Sequence, residues 1–139
     1  MIELLEAAQR KAMAVRPKTG GFPYLAEALR EAGVSRNTFD VASGSAIYVI
    51  GDEAVIQLGL PACTSTGVVP RFDRESLIAA LRADQAGEAS FPEFLRAAWA
   101  AGVVHYELDT GARTVTYNGA RGESYVEEYE SVRLPEVSQ

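Results

Sequence analysis

The chain has 139 residues, with 13 Lys and Arg against 19 Asp and Glu, a formal net charge of −6, and 47% hydrophobic residues. That is the balance of a folded domain able to bury roughly two-thirds of its unfolded surface without disulfides or metals. It excludes several classes. No apolar run approaches the ~18–20 residues of a membrane span. A single cysteine, Cys63, and a single histidine, His105, leave neither an internal disulfide nor a zinc site of several His or Cys ligands. The basic clusters, Arg10-Lys11 and Arg16 to Lys18, are too small for a nucleic-acid footprint.

The first residues mix charges with apolar positions, so no signal peptide is expected and the cytoplasm is the expected location. Ile2, Leu5, Ala8, Ala12 and Val15 keep helical spacing. Pro17, Gly20 and Gly21 break that helix. A second helix starts at Phe22-Pro23, with Leu25, Leu29 and Ala32 as its buried stripe and Gly33 as its stop. The period then changes from 3.6 to 2. Phe39 and Val41 flank Asp40, AIYVI runs from Ala46, and EAVIQLG runs from Glu53.

The pattern then recurs. Residues 59–71 read as a linker. Asp73 is a predicted N-cap, with Phe72 and Leu77 as a hydrophobic staple across it. Gly87 ends that helix, and Ser90 with Glu93 forms a capping box for the next. Val104, Tyr106 and Leu108 alternate with His105, Glu107 and Asp109, followed by TVTY from Thr114 and SYVEEY from Ser124. Short turns between these strands predict antiparallel meanders. At an offset of 69 residues, Phe22 matches Phe91, Pro23 matches Pro92, and Gly33-Val34 matches Gly102-Val103. Asp40 likewise matches Asp109, and Tyr48 matches Tyr117.

The expected fold is α+β: an internally duplicated helix-helix-three-strand antiparallel meander, with the helices packed on one face of the sheet. It forms one domain over 1–139. The first pseudo-repeat is 1–58, the linker 59–71 and the second pseudo-repeat 72–133, with a loose tail after Arg133. Phe22 and Phe91 are expected at equivalent buried positions, with Phe91→Ala costing ~3–5 kcal/mol.

The second half resembles a known family. Phe91-Pro92-Glu93-Phe94, Ala101-Gly102-Val103, Tyr106, Val115 to Tyr117, Gly122-Glu123 and Val126 to Tyr129 are similar to the YbcV-like family of short bacterial proteins. Its members often carry the label "phage envelope protein". Phe22-Pro23, Ala32-Gly33-Val34 and Asp40 echo its weaker N-terminal copy. Members often place histidine in the last strand, where this chain has Tyr125 and Glu128, and an aromatic where it has Arg36 and Asn37. The resemblance implies a fold and no reaction.

Few residues carry candidate chemistry. His105 and Asp109 share a strand face, the start of a general-base pair. Asp40 and Asp109 are duplicated carboxylates, able to work as acid and base or to cap their own turns. Tyr117 and Tyr48 are duplicated phenols. Cys63 lies far in sequence from His105, its one available base. Glu123, Glu127, Glu128 and Glu130, interleaved with Tyr125 and Tyr129, read as a solvated edge strand. No catalytic set is complete, and no cofactor or metal is expected. The expected function is therefore a non-catalytic module binding a small molecule or a protein, phage-related by family label, as a monomer or homodimer. Neither nucleic acid nor membrane is an expected partner. The alternative is a small enzyme with an acid/base site at the junction of the halves, drawing on His105, Asp109, Asp40 and Tyr117.

Overall fold

Local signals set the helix ends. In the computed structural model, which describes residues 1–63 and 65–135, Asp73 caps its helix by accepting from the Ser76 amide. Ser90 and Glu93 satisfy each other's backbone amides in a capping box. Side-chain caps of this kind occupy the donors that a first helical turn leaves free. The helices are α1 (Ile2–Val15), α2 (Phe22–Glu31), α3 (Arg74–Gln85) and α4 (Phe91–Ala100). The strands are β1 (Val34–Asp40), β2 (Ala46–Ile50), β3 (Glu53–Gln57), β4 (Val103–Asp109), β5 (Thr114–Gly119) and β6 (Ser124–Glu128). Helix, helix and three strands thus occur twice, as expected. From residue 136 on, the tail lies outside the described residues.

All strands join one six-stranded antiparallel sheet in the order β3-β2-β1-β4-β5-β6. The two meanders meet edge to edge through β1 and β4. Their register is set about a pseudo-twofold axis. Thr38 faces Glu107, its own counterpart in the repeat. Arg36–Asp109 and Asp40–His105 exchange under the same operation. Two backbone bonds outside the ladder obey it as well: Val41 donates to Val104 at 3.0 Å, and Thr110 donates to Ser35 at 3.2 Å. Both strands carry a bulge at counterpart positions, between Val34 and Arg36 and between Val103 and His105. The bulge turns Val103 fully inward, where simple alternation places Val104.

The core lies on the helix-covered face, where Leu5, Leu29, Leu77, Val34, Ile50 and Val103 are buried. An aromatic ladder crosses this face. Phe39, Tyr106, Tyr117 and Tyr125 are successive cross-strand partners, with ring centroids 5.1, 5.4 and 6.5 Å apart. The Arg74 guanidinium closes it over Tyr125, 5.1 Å from the ring centre.

The expected equivalence of Phe22 and Phe91 does not hold. Phe22 is half-buried, edge-on to Tyr129 at 5.4 Å. Phe91 is 53% exposed and touches Phe39 edge-on at 5.7 Å. The second unit places its aromatic bulk one turn later, at buried Phe94. Phe91→Ala is therefore expected to cost ~0.5–1.5 kcal/mol, the scale of one aromatic pair, and not a core penalty. A denaturant titration showing a loss above ~3 kcal/mol would restore the core reading.

Candidate functional site

The helices cover one face of the sheet, and side chains alternating outward line the other. From β1 these are Arg36, Thr38 and Asp40, and from β4 His105, Glu107 and Asp109. They form a polar strip down the middle. Arg36 pairs with Glu107 at 3.2 Å. Thr38 lies 3.5 Å from the same carboxylate oxygen.

The sequence-predicted residues divide between this strip and the core. His105 is exposed and stands directly across from Asp40 on the neighbouring strand. Asp109 faces Arg36 instead, about 13 Å along the strand from His105. Both aspartates are committed to their turns. Asp40 accepts from the Ser43 amide at 3.1 Å and from the Ser43 hydroxyl. Asp109 accepts from the Gly111 and Ala112 amides, each at 3.0 Å. Tyr117 lies on the opposite, helix-covered face. Burial first, then the nearby Glu127 charge, pushes its phenol far above the ordinary range. It stays protonated at neutral pH and can serve only as a neutral phenol. Its duplicate Tyr48 is shifted upward by burial, against the bond from Gln9. Cys63 is partly buried, its amide bonded to Ala42 at 3.1 Å.

The acidic last strand is less uniform than expected. Glu128 and Glu130 face solvent, whereas Glu127 points inward and is largely covered. Burial pushes its carboxyl up, but bonds from Arg82 at 2.7 Å, Tyr125 at 2.7 Å and Gln85 at 2.6 Å outweigh it, and the net shift is downward. A carboxyl lowered on folding stabilises fully above its unfolded value of 4.5, and loses that stabilisation as pH falls through the folded value. Arg82→Ala is therefore expected to unfold at a higher pH than the parent in an acid titration followed by circular dichroism. Coincident midpoints would show that the Arg82 bridge contributes nothing.

Periodicity alone missed two features. The Arg36–Glu107 pair was legible only once repeat and register were combined. The apolar wing was visible as β-branched residues but not as exposed. On the outward face of β2 and β3, Ile47 and Ile56 are cross-strand partners, 46% and 64% exposed. Leu58, just beyond β3, is 80% exposed. At the symmetry-related place on the other wing stand Thr116 and Val126, with Glu128 beyond.

Among the described residues, no helix is long and apolar enough to cross a membrane, and no three His, Cys, Asp or Glu side chains gather as a metal set. The family described as protein of unknown function (DUF1398) matches residues 10–128. Two curated relatives are the uncharacterized protein Rv2012 of Mycobacterium tuberculosis and the uncharacterized protein Mb2035 of Mycobacterium bovis. Each is 47% identical over 128 residues, covering 92% of this chain and 78% of the relative. The chain belongs to this family of unknown function.

Proposed function

We propose that this member of the family is a non-catalytic interaction module whose partner docks on the β2–β3 wing of the sheet. It works as one domain in the cytoplasm, with pseudo-repeats 1–58 and 72–133 joined by 59–71, and contacts neither nucleic acid nor membrane. One observation carries this reading: Ile47, Ile56 and Leu58 stand exposed on one wing, while the like wing exposes a lone apolar residue, Val126, between Thr116 and Glu128. Contiguous exposed apolar surface rimmed by polar residues marks interaction sites. The YbcV-like resemblance implies a fold and no reaction, and its phage label names no chemistry that would choose a partner.

A photo-activated crosslinker at position 56 tests it. Capture is expected there and not at position 126, its counterpart. Equal capture at both, or none at 56, would defeat the proposal.

A second reading rests on the placement of His105 across from Asp40. An acid/base site there requires a substrate that stabilises the fold. A ligand at 100 times its Kd adds about 2.7 kcal/mol. A thermal-shift screen over metabolites is the measurement. The enzyme reading expects a stabilising compound whose effect is lost in His105→Ala, and falls if His105→Ala leaves every hit unchanged.

A further inference from the structure

The sheet ends at β3 and β6, and the two ends differ. Glu128 and Glu130 put acids in solvent on and just beyond β6, a common way to prevent strand addition. β3 pairs only with β2, and between Glu53 and Gln57 it carries Ala54, Val55 and Ile56, with no charge and no proline. We propose that a second copy of this chain occupies that edge, pairing β3 with β3 antiparallel about a twofold axis at Val55 and extending the sheet through both molecules. This goes beyond the reading of the β2–β3 wing, since edge pairing occupies the β3 backbone and leaves the outward Ile47 and Ile56 open to a further partner.

The segment is self-complementary in that register. Glu53 comes opposite Gln57, a carboxylate facing an amide. Ala54 comes opposite Ile56, small against large, and Val55 meets itself. A twofold interface requires such matching, because each residue meets its own patch on the partner. The neighbouring helix fits the same axis. Gln9 of α1 bonds Gln57 at 2.9 Å, and Met1 and Ile2 line a shallow recess with Glu53 to Ile56, so α1 runs alongside β3 in the same direction. The axis therefore sets two α1 helices antiparallel. Ile2, 57% exposed beside Glu53 to Ile56, lies next to that axis and is covered by the second copy.

The molecule already uses this construction internally, since β1 and β4 join two like units edge to edge about Thr38 and Glu107. Packing the outward faces of two sheets together would instead bury Arg36, Asp40, Glu107 and Asp109, at a desolvation cost that pairing rarely recovers. An extended peptide on β3 would leave Ile2 of α1 uncovered.

Light scattering and sedimentation of the full chain over a concentration series test the proposal, with two variants at one position. Gln57→Glu sets like charges opposite each other twice and is expected to weaken the dimer by about tenfold. Gln57→Lys sets unlike charges opposite each other and is expected to strengthen it. Each variant keeps one of the two bonds with Gln9, the carboxylate as acceptor and the ammonium as donor, so similar melting of the dilute monomers with opposite dimer shifts assigns the effect to the register. A single-chain mass at every concentration for the parent and Gln57→Lys would overturn the proposal. So would identical shifts in the two variants. A crosslinker at position 56 that captures a different protein from a strictly monomeric chain removes the second copy and leaves the wing as a docking surface.

Discussion

Gly102→Ala is expected to destabilise the chain by about 3 kcal/mol or more, while the same change at its repeat counterpart, Gly33, costs about 1–2 kcal/mol. Both glycines end a helix with left-handed backbone, at φ +87° and +99°. That conformation penalises any L side chain by ~1–2 kcal/mol. The difference is what surrounds them. A Cβ on Gly102 would lie 2.6 Å from the Arg71 carbonyl and the Phe72 Cα, backbone atoms that cannot swing aside. A Cβ on Gly33 would meet only an Ile50 side-chain carbon, at ordinary contact distance, 3.7 Å. The chain enters α3 by running over the end of α4, with the Asp73 amide bonded to the Ala101 carbonyl at 2.8 Å. Urea titrations of the two variants decide the matter. Equal losses would show that only the backbone angle counts and that the crossing is loose.

Leu77→Ala is expected to cost ~2–5 kcal/mol, a large share of the stability of a domain this size. Leu77 is fully buried at the start of α3, within the cluster that joins the helices to the sheet. Its removal leaves a cavity that α3, held by the Asp73 cap and the Arg82–Glu127 bridge, cannot readily collapse. Thermal unfolding should shift by about 10 °C or more. A shift under about 3 °C would mean that the neighbours refill the space and that Leu77 is not a keystone of this half. Phe91→Ala is the matched control, a larger side chain deleted from a half-exposed position.

The residues of each helix were legible because their signals are local. Asp73, Ser90 and Glu93 act within one turn of themselves, and the glycine stops act on the residue they occupy. Strand alternation around Tyr106 and Phe39 was legible for the same reason, except where a bulge slipped the phase at Val103. The turn roles of Asp40 and Asp109 were readable too, since each bonds amides two or three residues away. What happens between distant strands was not readable. Tyr117 and His105 fall on opposite faces because the β4–β5 register pairs Tyr117 with Tyr106 and not with His105.

The sequence by itself determined the duplicated unit, the helix caps, the antiparallel meanders and most of the residue pairs that the repeat makes equivalent, Phe22 and Phe91 excepted. Each rests on spacings of a few residues or on direct comparison of one half with the other. Only the tertiary structure decided that the halves share one sheet through β1 and β4, that Asp40 meets His105 while Asp109 meets Arg36, and that Phe91 stands outside the core. It also decided that Glu127 turns inward to Arg82 while Ile56 is left in the open. These depend on which strand edges fit one another once twist, bulges and helix packing act together. No short-range spacing encodes that fit, because the free energy that selects it is shared among residues far apart in the chain.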